Sequence, residues 1–443
     1  MKKITSKFIQ FLLVIVTAFS LFPLTAMAAI QTDMHMEARE EIPKNWDAMA
    51  DTSWYNEKYK EFHLSTPEQL AGLAVLVNNG NYFEGKTICL NNDINLNGYN
   101  WIPIGSQPEE WYKFPTINFF CGTFDGQNHC IRNLTTDSSS YSHGLFGLAK
   151  YGTIKNVKII DAYIHNNDNV SNNNYIGILA DEVVKCNILG SYTTGKIIDY
   201  STNVKYVGGI VGRCEGASKI IGCYSTATIL NNSSNPSYES VGGLIGCWID
   251  VKNDSMISNC WYDGSIQCKG HPFTGGILGN SNYHDVKIKN CFVSTTNITC
   301  QTPDRVALIT TTGTDDSVSD CYWPASATDQ SDNMKNDPVN KTNYKIWFSK
   351  DTEFDASKCG MAIENFQDPS FVDKLNENAD PGVAWVKGVN HPTFVNDDED
   401  NITASDAEIT AAKQKVDHGF DFYSKQEEIQ QKKMKRWQRM FKS

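Results

Sequence analysis

The chain has 443 residues and carries 39 Lys and Arg against 51 Asp and Glu, a formal charge of −12 at pH 7. A protein this acidic is a poor general binder of nucleic acid, and its length allows one elongated domain or two to three compact ones. The 13 cysteines include no CxxC pair, which speaks against a tetrahedral zinc knuckle.

Residues 1–28 carry Lys2, Lys3 and Lys7, then an apolar run, then Ala26-Met27-Ala28. This is the pattern of a secretory signal cut before Ala29. Its removal takes away three lysines and no acids, leaving −15. No second long apolar stretch follows, so the exported chain is expected not to span a membrane. A lead segment, 29–62, precedes the first clear element.

That element is HLSTPEQLAGLAVLVNN, 63–79. Thr66 suits an N-cap, Pro67 the first helical position and Gln69 the return half of a capping box. Leu70, Leu73, Ala74 and Val77 follow helical spacing. The next eight residues, GNYFEGKT (80–87), fit the phosphate-loop pattern G-x-x-x-x-G-K-[ST]. A phosphate loop, however, needs a strand before it and a helix after it. Here a helix enters and the strand-like TICLNNDINL leaves. The motif reads as a turn, with Lys86 in solvent, and export counts against ATP chemistry.

From residue 131 onward the chain repeats itself. A glycine-centred tetrad recurs as GLFG (144), GILA (177), GIVG (209), GLIG (243), GILG (276) and a degraded ALIT (307), spaced 31 to 34 residues apart. A second column follows: IRNL (131), IKNV (154), ILGS (188), IIGC (220), ISNC (257), IKNC (288) and VSDC (318). Short strands joined by Gly and Asn turns at this period predict a β-solenoid over 63–325. Ile154, Ile188, Ile220, Ile257, Ile288 and Val318 would form one interior ladder, and the third place of each copy a left-handed corner. The amphipathic helix 67–78 would cap the open end.

Cys223, Cys260, Cys291 and Cys321 share one column with Ser191, Val157 and Leu134, and so read as buried, reduced thiols acting as small hydrophobes. A serine at Cys260 is then expected to cost about 1–3 kcal/mol through a poorly paired hydroxyl. The next column holds Tyr192, Tyr224, Trp261, Phe292 and Tyr322. Strand alternation turns it outward, so these five are the candidate ligand-binding residues, an aromatic stripe suited to sugar rings. Insertions at 165–174, 199–205, 230–240, 267–272 and 299–304, rich in Asn, Ser and Tyr, would lie on one side of the coil, where such insertions often bind.

The ordered set GGIVG (208–212), GGLIG (242–246) and GGILG (275–279), together with LSTPEQLAGLAVLVNNGNYFEGKTICLNNDINLNG (64–98), WIPIG (101–105), GTFDGQNHCIRNL (122–134) and WVKGVNHPTF (385–394), resembles secreted bacterial proteins carrying GLUG repeats. The likeness covers about residues 50–396. It implies an all-β, right-handed parallel β-helix with a short N-terminal capping helix and a small C-terminal cap, on an exported or cell-surface protein, often with an adhesive role. Similar repeats occur in the non-catalytic region of bacterial IgA-specific metallopeptidases. The resemblance carries no catalytic residue across.

Chemistry is sparse. No H-E-x-x-H pair occurs among the nine histidines and no G-x-S-x-G elbow. The aspartates, among them Asp125, Asp161, Asp181, Asp199, Asp250 and Asp263, share no column, and Asp125 in FDGQ reads first as a turn acid. No metal, cofactor or catalytic residue is assigned. Residues 326–396 read as a closing segment. Residues 397–443 read as a charged tail, opening with the acidic linker Asp397 to Asp400 and ending in a basic run with Met434, Trp437 and Phe441 at helical spacing, suited to peripheral contact with an anionic envelope surface. The expectation is a secreted or cell-surface, non-enzymatic protein binding extracellular glycans or a host surface protein, and neither nucleic acid nor a cofactor. A glycan-active enzyme on the same scaffold and a structural spacer are the alternatives.

Overall fold

The computed structural model describes residues 45–105, 117–136, 142–167, 174–201, 204–233, 239–270, 272–281, 286–301, 306–312, 317–326, 359–416, 420 and 423. The signal segment and the basic run of the tail lie outside the described residues. Nearly everything described between 61 and 324 belongs to a parallel β-helix. One coil shows the plan: Val204–Gly208, Val211–Glu215, Lys219–Ile221, then Tyr224–Ser225 and Thr228–Asn231. Each strand pairs in parallel with its equivalent on the neighbouring coils. The stacks build a nine-stranded sheet that starts at Glu61–Leu64 and ends at Val318–Ser319, two five-stranded sheets, and a larger sheet closed by Gly360–Ile363.

The interior ladder is present. Ile154, Ile188, Ile220, Ile257, Ile288 and Val318 stand in register and are all buried. Each such side chain contributes about 1.5–3 kcal/mol by leaving water. The corner that follows is left-handed in every copy: Asn133, Asn156, Gly190, Gly222, Asn259, Asn290 and Asp320 have φ between 49° and 64°. Asn, Asp and Gly are the residues that enter this region at least cost. A second left-handed corner, at Tyr151, Lys185, Gly216 and Asp250 with φ of 48–69°, carries that signature in only two of its four copies.

The tetrads mark the corner between the two five-stranded sheets. A Cβ on Gly208, Gly242 or Gly275 would lie 1.8–2.1 Å from the carbonyl oxygen three residues on. No side chain fits where the backbone turns this tightly. The register also corrects the repeat alignment. Ala180 pairs with Phe146 and Val211, Gly177 with Gly208, Ala307 with Gly275, and Thr310 bridges Leu278. The copies at 177 and 307 therefore sit one residue out of the pattern read from their letters. Asp181 falls where its neighbours have glycine, and its carboxylate accepts from the amides of His143, Gly144 and Gly177 at 2.6, 3.1 and 3.2 Å.

The column cysteines are interior and free. Their thiols donate to the carbonyl two residues back, at 3.3 Å for Cys223, 3.1 Å for Cys260, 3.2 Å for Cys291 and 3.3 Å for Cys321. Ser191 does the same to Leu189 at 3.0 Å and also accepts from the Val157 amide at 3.2 Å. The site thus already pairs a hydroxyl, which overturns the reason given above for a costly Cys260→Ser.

Helix α1, Pro67–Asn78, closes the N-terminal end. The Thr66 hydroxyl accepts from the Gln69 amide at 3.3 Å, and the Gln69 side chain accepts from the Ser65 amide at 2.8 Å. Leu70, Leu73, Ala74 and Val77 pack into the same core as the first coils. GNYFEGKT follows as a turn, with Gly80 and Gly85 at φ 93° and 66°. Lys86 stays partly exposed, and its ammonium also donates to the Glu57 and Tyr59 carbonyls at 2.8 and 2.7 Å.

Candidate ligand-binding surfaces

The aromatic column turns outward from the coil, as alternation requires, and stacks. Ring centroids lie 4.4 Å apart for Tyr192 and Tyr224, 4.0 Å for Tyr224 and Trp261, and 5.8 Å for Trp261 and Phe292. The stripe is nevertheless not a free surface. Tyr192, Tyr224, Trp261, Phe292 and Tyr322 are all buried, because the closing segment runs along this flank. Helix α2, Pro369–Glu377, places Phe371 and Leu375 on the stripe, and the hairpin Trp385–Val386 with Thr393–Phe394 adds Trp385 and Phe394. The C-terminal cap thus covers the side of the solenoid as well as supplying its last strand.

The acidic run is no linker either. Asp397 accepts from the Tyr224 hydroxyl at 2.6 Å. Asp398 accepts from the Tyr192 hydroxyl at 2.8 Å and pairs with Lys158 at 3.0 Å. Burial alone would raise Asp398, but Lys158 and Tyr192 outweigh it and hold the carboxyl below its ordinary value. A cleft of about 30 Å³ remains between flank and strap, lined by Asn156, Tyr192, Tyr224, Val383 and Phe420 among others. It has room for a water or two and not for a sugar.

The insertions lie in part outside the described residues, but the strands that flank them share one corner. The strands before them end in register at Asn166, Asp199, Asn231, Cys268 and Cys300, and the next sheet begins just beyond. Two partly exposed aromatic groups flank this corner. On one side Tyr163, His165 and Tyr200 approach one another, His165 and Tyr200 with centroids 5.9 Å apart, and Tyr200 is 51% exposed. On the other, Tyr175 and Tyr206 stack at 5.4 Å with an interplanar angle of 11°. The Arg213 guanidinium lies 5.2 Å from the Tyr175 ring and is held by Glu182 and by Glu215, the latter at 2.7 Å. Burial opposes the Arg213 charge, but Glu182, Tyr175 and Glu215 outweigh it and raise its pKa.

No family model matches the chain, and no curated protein does. Among solved structures, a "putative immunoglobulin A1 protease" from Bacteroides ovatus is 20% identical, with a TM-score of 0.48, over 77% of this chain and 94% of that one. A second, described as an IgA1 protease, is 16% identical with a TM-score of 0.44, over 68% of this chain and 21% of its own length. No residue role is carried over from either.

Tyr175, Tyr206, Glu182, Arg213 and Glu215 were not singled out from the sequence. The readable signal was a tyrosine two residues before a glycine at the start of each of these coils, Gly177 in YIG and Gly208 in YVG. The one-residue slip at the 177 copy hid the alignment. Asp125 behaves as the turn acid expected, accepting from the Gln127 amide and the Asn156 side chain, both at 3.0 Å.

Proposed function

We propose that the protein is exported and binds extracellular glycans at the insertion corner, without turning them over. The observation that carries this reading is the stacked, partly exposed Tyr175–Tyr206 pair with Arg213 beside it, set where polar loops leave five successive coils. Aromatic faces suit the apolar sides of sugar rings, Arg213 and its two glutamates hold the Tyr175 ring in place, and Asn- and Ser-rich loops supply adaptable hydrogen bonds. Absence of turnover is supported by Arg213 itself. It pairs with both Glu182 and Glu215, so the two carboxylates beside the tyrosine pair are already engaged rather than set apart around an open space.

The test is a glycan array with residues 29–443, followed by calorimetry on the best ligand and chromatography for cleavage products. Tyr206→Ala is expected to weaken binding about tenfold, the scale of one aromatic contact, with the melting temperature nearly unchanged. Binding that survives Tyr206→Ala and Tyr200→Ala, or shortened glycan products, would overturn the reading.

A further inference from the structure

At the N-terminal edge of the nine-stranded sheet a second kind of chemistry gathers. Glu61 and His63 lie two residues apart on the edge strand, so both point outward, while Phe62 and Leu64 between and beside them enter the core. His63 pairs in register with Cys89 on the next coil. The Glu61 carboxylate, His63 imidazole and Cys89 thiol converge, with donor atoms all within 4.8 Å of one another, and His63 Nε2 lies 3.1 Å from Glu61 Oε1.

Cys89 differs from the column cysteines. It is buried, yet it takes no part in the apolar core that holds Cys223, Cys260, Cys291 and Cys321. Its surroundings are polar: Asp125, Glu61, Lys155 and Gln127. A small hydrophobe has no reason to sit there. The other imidazole nitrogen, Nδ1, lies 3.0 Å from Asn91 Oδ1. Asn91 Oδ1 accepts, so Nδ1 carries the proton and the Nε2 lone pair is left beside the Glu61 carboxylate, the arrangement usual behind a metal-bound histidine.

We infer that Glu61, His63 and Cys89 bind a divalent d-block cation of the zinc type. Zinc takes nitrogen and oxygen at about 2.0–2.2 Å and sulfur at about 2.3 Å in a tetrahedron. Neighbouring ligands then stand about 3.3–3.6 Å apart, close to the observed nitrogen–oxygen distance. A thiolate with an imidazole selects zinc, copper or nickel over calcium and magnesium. Binding displaces the thiol proton to solvent, and water completes the fourth position on the open side. The ion would tie the edge strand Glu61–Leu64 to the strand Thr87–Leu90, securing the end of the sheet. The inference is independent of glycan binding.

The experiment uses the reduced chain 29–443 with Co²⁺ as the probe. One equivalent is expected to give a sulfur-to-cobalt charge-transfer band in the near ultraviolet, which Zn²⁺ abolishes by displacement, and Zn²⁺ is expected to raise the melting temperature. Cys89→Ser should remove the band, and His63→Ala should weaken Co²⁺ binding at least tenfold. No band, a band retained in Cys89→Ser, or unchanged affinity in His63→Ala would each overturn the site. His63 is exposed, so its variant decides the matter even if Cys89→Ser does not fold.

Discussion

Trp261 lies between Tyr224 and Phe292 in the flank stack, with His391 edge-on at 4.3 Å. Its indole faces away from the coil and still meets no solvent. Alternation along a strand settles which side of the backbone a residue takes; it does not settle whether another segment covers that side. Trp261→Ala should therefore behave as a core truncation, costing about 3–5 kcal/mol in chemical denaturation. A loss under about 1 kcal/mol, the scale of a surface change, would mean that the strap leaves the stripe open in solution.

Among the elements, the insertion corner concentrates buried charge. Asp199 accepts from Asn166 at 3.0 Å, and Glu239 accepts from the Ser233 hydroxyl at 2.6 Å. Burial pushes Asp199 from 3.8 up to about 6 and Glu239 from 4.5 up to about 7. The folded chain thus holds these protons more tightly than the unfolded chain. Their contribution to stability is complete below about pH 4 and is lost as pH rises through 6 to 7. It amounts to at most about 3 kcal/mol for each. Glu239→Gln is expected to flatten the fall in melting temperature between pH 5 and 8, and an unchanged profile would refute the assignment. This corner was legible in part. Equal placement of the insertions put the loops on one side, and the Ile and Asn columns located the ladder and its left-handed turn, because side-chain type there answers directly to burial and φ. The corner through Tyr151, Lys185, Gly216 and Asp250 was legible only by half: Gly216 and Asp250 enter the left-handed region readily, whereas Tyr151 and Lys185 have no local preference for it and adopt it within the packed coils. The pairing of Asp397 with Tyr224, which joins positions 173 residues apart, was not legible.

On the scale of the whole molecule, a solenoid is nearly one-dimensional: each coil touches only its neighbours, and stability accumulates coil by coil. The closing segment changes this. It leaves the last coil at Gly360–Ile363 beside Cys321–Pro324 and runs back along the flank, so that Asp398 reaches Lys158 and Tyr192, 240 and 206 residues earlier. A chain ending before residue 359 should expose the five aromatics of this column as one apolar patch. It is expected to bind hydrophobic dyes and self-associate, as light scattering and dye fluorescence would show. A monomeric, dye-silent product would mean that the flank needs no cover.

The strap also bears on how the molecule carries load. A bare stack pulled from its C-terminal end would peel one coil at a time, each step breaking a single short row of hydrogen bonds. With Asp397 and Asp398 fastened several coils upstream, tension entering at the end of the strap reaches the middle of the stack first. It arrives along the flank, where the strap's contacts with several coils share the load instead of one terminal row. A stack fastened in this way would thus resist being unzipped from its end.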